Sequence, residues 1–497
     1  MAAFVEAALT ALQQYRGTAD TAIRMHALRL QRHCVSVNRG LSLFCASTTE
    51  ITLCGSVFVV DITLHPISGA VLRVKLSFAN GETSTDDKDG SLLLTSLLAH
   101  NTNFPAFAQS IASLAIADTL STPQFNAFRV LKRVHDDLHD CYRRELALSG
   151  VGVVDVVKEG CGAFVRGLSE LGGAVVFWVG VEDADMLGAE DASEVVGKER
   201  TVFDAILDKF VAHVKLSERP ASPLNLLPSY EEYGYLLPED LEEAPPDLDM
   251  VTVHSLNGIK HHFIKNPNVS TDATFNACLV LEFQPPIPCL KSFVQEVAAI
   301  GGAPTAMDTT TPSRTSKPTP APKSYLRTLQ ETHTSSAPAT SASRKLYHTE
   351  TQFSKLFFNA DIVRAAPDAL AHLDLVAFTH PAQVVPLLRA ARRQAVFNAL
   401  AASLFTPPPP SPPPPPSPPV AAGMKVYGVV EVVAWDPPVS LEMAVAVLGK
   451  GATMLRVTVQ EDATVKVENV GGGSVSVGGV ERILRGTGDL GVALLYL

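Results

Sequence analysis

The hydrophobic period of the chain switches between about 3.6 and 2 several times along its length, and that switching constrains the fold more than any other feature. Phe4, Ala7, Ala8 and Leu12 recur at helical spacing, so the segment 1–50 reads as helical. The period then changes. Val57–Leu64 and Val71–Phe78 are β-rich runs joined by His65–Ala70, and Val74, Leu76 and Phe78 alternate with Arg73, Lys75 and Ser77. Two such runs predict a hairpin with one face in a core. Helical spacing returns over 91–100, 104–121 and 123–147, the second segment opened by Asn103 and Pro105 as cap and first turn.

Gly81–Gly90 reads as a polar, Asp-rich loop, and Gly150–Val181 as strands with turns at Gly160–Gly162 and Gly172–Gly173. Thr201–Leu216 reads as a short helix, Ala273–Gln284 as a strand, and Pro386–Phe405 as a helix with proline at its start. The chain closes with Val426–Val433, Val439–Leu448, Met454–Val459 and Val465–Val467, short β segments whose turns at Asp436–Pro438 and Gly449–Gly451 predict an antiparallel meander. The expected fold is therefore α+β: N-terminal helices, antiparallel hairpin and sheet units interleaved with helices, a C-terminal meander and disordered linkers.

Composition sets the segment boundaries. Of 35 prolines, 11 fall within Pro407–Pro419, which predicts a polyproline II insert (406–421) in an otherwise ordinary chain. Ser and Thr fill 17 of the 39 positions from Thr305 to Ser343, too polar a stretch to offset its ordering entropy, so 301–345 reads as a disordered linker. Between Arg219 and Lys260 there is no Lys or Arg, and eight acids there make 217–260 an acidic loop. The remaining segments are an α+β core (51–216), its continuations (261–300 and 346–405) and the C-terminal β segment (422–497).

A net charge of −11 argues against direct binding of nucleic acid or an anionic membrane. No apolar run reaches the ~18 residues of a membrane span; Leu171–Val181 reads as a buried strand. Glu6 interrupts the N-terminal apolar stretch, which lacks a basic lead-in, so no signal peptide is expected. Seven cysteines with no CxxC pair suggest reduced thiols in a nuclear or cytosolic protein.

Few motifs carry chemistry. Gly486, Gly488 and Gly491 match GxGxxG, but a dinucleotide site needs a helix and an acid downstream, and the sequence ends at Leu497. His135 and His139 have the i, i+4 spacing of helical zinc ligands, yet Lys132 and Arg143 give that face the look of a solvated flank and no third ligand is marked. No catalytic residue, metal ligand or cofactor site is assigned, and an enzyme is not expected. Leu94, Leu97 and Leu98 form an LxxLL sequence that, with Leu92, reads as one side of a core helix.

Two groups are candidates for protein contact. Tyr230, Tyr233, Tyr235, Leu236 and Leu237 lie among acids that would keep them solvated until a basic, apolar groove covers them; the alternative is a plain acidic loop. Arg389, Arg392 and Arg393 share a helix face at i, i+3, i+4, suited either to an acidic partner or simply to solvation.

In order along the chain, GSVFVVDITLHPISGAVLRVKLSF (55–78), SLLLTSLLAHNTNFPAFAQSIASLAIAD (91–118), ATFNACLVLEFQPPIP (273–288) and THPAQVVPLLRAARRQAVFNALAASLF (379–405) resemble subunit 1 of the Mediator complex. The β segment Val426–Val467 resembles that family's final one. The resemblance implies a non-catalytic, nuclear subunit of Mediator's middle module that contacts other middle-module subunits and transcriptional activators, and reaches RNA polymerase II indirectly. The receptor-binding LxxLL boxes of animal members are not carried over, because the single LxxLL here lies in the expected core. The alternative is a cytosolic adaptor whose proline tract docks SH3- or WW-like grooves.

Overall fold

In the computed structural model of the chain, the predicted hairpin forms the middle of a five-stranded antiparallel sheet. The structure describes residues 19–166 apart from 39, 48, 67, 81–82, 100–102, 123–125 and 149; then 173–179, 203, 209–218, 235–237, 250–264, 277–301, 343–344, 355–358 and 370–403; and finally 428–471 apart from 437 and 448–450, with 477–487, 490 and 493. The Ser/Thr-rich stretch up to residue 342, the proline tract, Tyr230 and Tyr233 lie outside the described residues.

The first sheet runs in sequence order: β1 (Ser42–Cys45), β2 (Glu50–Cys54), β3 (Phe58–Leu64), β4 (Val71–Asn80) and β5 (Thr83–Asp87). Phe58, Val60, Ile62 and Leu64 of β3 meet Val74 and Leu76 of β4 on the buried face. Three helices contribute to the same core: α1 (Ala19–Leu30), α2 (Lys88–Ala99) and α3 (Phe104–Leu120). At the end of α3, Asp118 accepts hydrogen bonds from the Ser56 and Val57 amides at 2.8 and 2.7 Å, fixing the β2–β3 turn.

Phe128 joins this unit to the next. It opens α4 (Ala127–Leu146), and its ring lies 6.0 and 4.8 Å from those of Phe58 and Phe78. Asn126 caps α4 by accepting from the Phe128 and Arg129 amides. The central sheet has the order β14-β11-β8-β7-β6, built from β6 (Ala163–Arg166), β7 (Gly173–Val179), β8 (Lys209–Glu218), β11 (Ala277–Leu290) and β14 (Leu370–Phe378). Between its strands in sequence come the short helix α5 (Val153–Lys158), the hairpin β9 (Met250–His254) with β10 (Lys260–Ile264), and α6 (Lys291–Ile300). Helix α7 (Val384–Ser403) follows β14.

The last sheet holds β12 (Ser343–Arg344), β13 (Lys355–Phe358), β15 (Gly428–Asp436), β16 (Ser440–Val447), β17 (Gly451–Val459) and β18 (Val465–Asn469), with α8 (Val477–Thr487) against β18. Strands β15 to β18 are the predicted antiparallel meander, whereas β13 pairs with β15 in parallel. The fold is α+β as expected, with eight α-helices and four sheets among the described residues.

Several elements differ from expectation for physical reasons. The segment read as helical to residue 50 contains β1, a mostly exposed edge strand that needs no core-facing alternation. The polar loop Gly81–Gly90 contains β5, whose Thr-rich sequence pairs along the edge of β4. Val153–Lys158 is helical despite four valines, because the Asp155 carboxylate accepts the Gly152 amide at 2.8 Å and starts the turn.

Residues 209–216, read as helix, belong to β8; this strand lies between β7 and β11, and Val211–Val214 are all buried, so it lacks period-2 alternation. Strand β11 runs past the point where it was expected to stop. Its pairing with β8 ends at Gln284, and its pairing with β14 resumes at Ile287, so Pro285 and Pro286 occupy an irregularity where no ladder donor is required. In α2, Leu93, Leu94, Leu97 and Leu98 are buried while Leu92 is 66% exposed, so the LxxLL leucines are core and Leu92 is not part of their face.

Candidate functional site: the arginine helix and its polar hub

Helix α7 buries Val384, Leu387, Leu388, Ala391, Ala395 and Phe397, leaving few positions for charge. Its three arginines share a face by spacing, but the structure sends them to three destinations. Arg392 is 1% exposed, donating from Nε to the Phe177 carbonyl at 2.8 Å and from Nη2 to the Gly160 carbonyl at 2.9 Å. Burial pulls its pKa down to about 10, so it remains charged at neutral pH. Arg389 donates to the His254 carbonyl at the end of β9, and Arg393 donates to the Val459 carbonyl of β17 at 3.1 Å. Both are half-buried. A single helix thus reaches the central sheet, the β9–β10 hairpin and the C-terminal sheet through backbone carbonyls.

The turn held by Arg392 is gripped from its other side as well. Glu145, near the end of α4, accepts the Cys161 amide at 2.9 Å through Oε2 and meets Nε2 of His261 at 3.0 Å through Oε1. Glu145 and His261 are both fully buried. Burial pushes the Glu145 carboxyl upward, but His261, the Ser255 hydroxyl and the Cys161 amide outweigh it and hold the carboxyl below its ordinary range. The same burial pushes the Cys161 thiol well above its ordinary value, which leaves it a poor nucleophile.

The two glycines of this turn have separate reasons to be there. A Cβ on Gly160 would lie 2.0 Å from Oε2 of Glu145, and Gly162 has φ +84 with Val175 2.5 Å from where a Cβ would sit.

Helix α4 also holds the described part of the acidic Tyr/Leu segment. Asp137 accepts the Tyr235 amide at 2.8 Å, and Arg144, two turns further on, donates to the Leu237 carbonyl at 2.7 Å. On its other edge this segment pairs with β10: the Ile264 amide donates to Tyr235 and the Leu237 amide to His262. Tyr235 and Leu237 are buried and Leu236 is half-buried, so these residues lie along the hairpin, bridged to it at Leu236 and Phe263, and are not exposed anchors. The seven-residue spacing of Asp137 and Arg144 on one helix face is the sequence signal that could have suggested a clamp. Burial raises the Asp137 carboxyl to about 7, partly opposed by backbone hydrogen bonding at this segment.

Entry into α7 is fixed by Thr379–Gln383. His380 accepts the Ala382 amide on Nδ1, its Nε2 meets the Ile264 carbonyl at 2.9 Å, and Gln383 Oε1 accepts the Thr379 and His380 amides. The Tyr235 ring stands edge-on to His380 at 4.9 Å. The His-Pro motif of the sequence therefore joins α7 to β10 and to Tyr235. The other histidine pair is engaged differently. Nε2 of His135 lies 3.2 Å from the Val214 carbonyl, and the rings of His135 and His139 both pack on Phe164.

These arrangements define a class of protein: an α+β body in which the buried polar groups brace backbone across distant elements. A family model described as Mediator of RNA polymerase II transcription subunit 1 matches residues 34–150 and 236–406, more than half of the chain, and the chain belongs to that family. No curated protein matches it. Membership gives a role in transcription as a subunit of the Mediator complex, in association with other Mediator subunits; the family is generally non-catalytic and is a component of a nuclear complex. The match omits 151–235 and ends at 406, so β12 and β13 of the last sheet lie within it, whereas β15–β18, likened above to the family's final segment, lie outside the matched residues. Glu145, His261 and Arg392 lie inside them, while the turn they grip does not.

Proposed function

We propose that the chain is a non-catalytic scaffold of the Mediator middle module, working in the nucleus and relaying activator signals to RNA polymerase II. The family match over 34–150 and 236–406 carries this reading. Physical support comes from the hub. A helix tied to three sheets through Arg389, Arg392 and Arg393 transmits load across the body, as a scaffold requires. Apolar side chains more than half exposed, among them Phe44, Leu72 and Leu92, supply surface for neighbouring subunits to cover. Of the candidate contacts, Tyr230 and Tyr233 are proposed to meet partners, while Arg389 and Arg393 serve as ties to backbone carbonyls within the chain. Tyr235, Leu236, Leu237 and Arg392 are assigned to internal bracing.

The test is affinity purification of the tagged full chain from nuclear extract, with mass spectrometry of what accompanies it. Middle-module subunits should co-purify, and deletion of Pro407–Pro419 should leave them in place. Recovery of the chain alone, or loss of all partners with the proline tract, would overturn the reading.

A further inference from the structure

The sequence holds two Asn-Gly pairs, Asn80–Gly81 and Asn257–Gly258, and the structure describes the whole turn around the second. Asn257 and Gly258 are the central pair of the turn between β9 and β10. The Ile259 amide donates to the Leu256 carbonyl at 3.0 Å and closes it. Asn257 has φ 52 and ψ 25, and Gly258 has φ 77. Both φ values are left-handed, as a type I′ turn requires, and Asn followed by Gly adopts them at least cost. The base of the turn is held inward: Ser255 and Leu256 are buried, and the Ser255 amide donates to the Ile259 carbonyl at 2.9 Å. Its tip meets water. Asn257 and Gly258 are exposed, the Asn257 carboxamide has no hydrogen-bond partner among the described residues, and a Cβ on Gly258 would meet nothing within 4 Å.

A glycine amide is the least hindered backbone nucleophile, and this one follows an exposed, unengaged carboxamide. We propose that Asn257 is a site of spontaneous deamidation, and that its conversion loosens the grip of the β9–β10 hairpin on the polar hub. The Gly258 nitrogen gives its proton to hydroxide and attacks Cγ of Asn257. The bond from Cγ to the side-chain nitrogen breaks, and that nitrogen takes a proton from water and leaves as ammonia, so a succinimide remains. Water then opens the ring at either carbonyl, giving aspartate or isoaspartate. One water is consumed and one ammonia released, with no oxidant or reductant. Isoaspartate adds a methylene to the main chain, which a closed two-residue turn does not accommodate. In the folded chain the Gly258 amide donates to the Ser255 carbonyl at 3.1 Å, so attack waits for the turn to open. The consequence reaches the hub because Ser255 and His261, on either side of the turn, both stand against Glu145.

The test incubates the full chain at mildly alkaline pH, folded and in urea, and maps its peptides by mass spectrometry. Asn257 should convert to a mixture of aspartate and isoaspartate, severalfold more slowly in the folded chain than in urea. Hydrogen exchange then compares the aged wild type with Asn257→Gly aged identically, a variant that keeps the left-handed turn and lacks the carboxamide. Amides of β9 and β10 should exchange severalfold faster in the aged wild type than in the variant. The proposal is overturned by no conversion at Asn257 in the folded chain, by conversion as fast folded as in urea, or by converted protein whose β9 and β10 amides exchange like the variant's. Neither measurement involves another Mediator subunit, so its outcome is separate from that of the co-purification.

Discussion

The N-terminal and central units are of similar make, sheet and helix, but are held together differently. In the N-terminal unit the buried polar groups act locally or cap a turn: the Ser91 hydroxyl accepts the Leu76 amide, and Asp118 holds the turn at Ser56 and Val57. Thr95 of α2 likewise bonds to Val74 of β4, and the bulk of the core there is apolar burial around β3, β4, α2 and α3. The central unit buries Asp137, Glu145, His261, His380, Arg392 and Asn398, and their bonds span the chain. Glu145 reaches His261, 116 positions away, and Arg392 reaches Gly160, 232 positions away. Asn398 donates to the Pro288 carbonyl, 110 positions away. Apolar burial tolerates gradual loosening, whereas a buried charge whose partners are lost is strongly destabilising. The central unit should therefore fail abruptly and the N-terminal unit gradually.

The sharpest way to break this contrast is Arg392→Ala. It strands the carbonyls of Phe177 and Gly160 and removes a cation from the neighbourhood of Glu145, and the expected loss is about 3–5 kcal/mol by urea denaturation. Arg392→Lys should recover little, because an ammonium does not reproduce the fork that reaches two carbonyls.

In the N-terminal unit, Asp118→Ala removes two amide acceptors at one turn, and a smaller loss of about 1–2 kcal/mol is expected. If both variants cost the same, the two units are not held by different means.

The smallest effect is a pH dependence. Asp137 binds its proton in the folded chain up to about pH 7, while an unfolded aspartate releases it near pH ~4. The folded state therefore holds more protons across that window, and stability falls as pH rises through it. Asp137→Asn keeps an oxygen for the Tyr235 amide and removes the titration. Relative to the variant, wild type should lose about 1 kcal/mol between pH 6 and 8, read from urea midpoints. Parallel curves would place that carboxyl in an ordinary environment.

What the sequence makes legible follows the same division. Elements set by local rules were readable: α4 (Ala127–Leu146) falls within the segment 123–147 read as helix, and β3 and β4 show their buried faces by alternation. Strand β8 was not, because a strand covered on both faces does not alternate. The spacing of Arg389, Arg392 and Arg393 was visible, but its direction was not. Nothing near α7 in the sequence marks Phe177 and Gly160 as destinations. Tyr235–Leu237 looked solvated for the same reason, since the clamp that buries them lies on α4, about a hundred positions earlier. Local pattern predicts elements, whereas long-range polar bracing emerges only once distant backbone groups meet.

The most direct test is native-state hydrogen exchange of wild type against Arg392→Ala. The account predicts that protection collapses together in β7, β10 and the turn after α5, while amides of β2, β3 and β4 keep theirs. A uniform loss of protection across both units, or no loss around the turn, would contradict it.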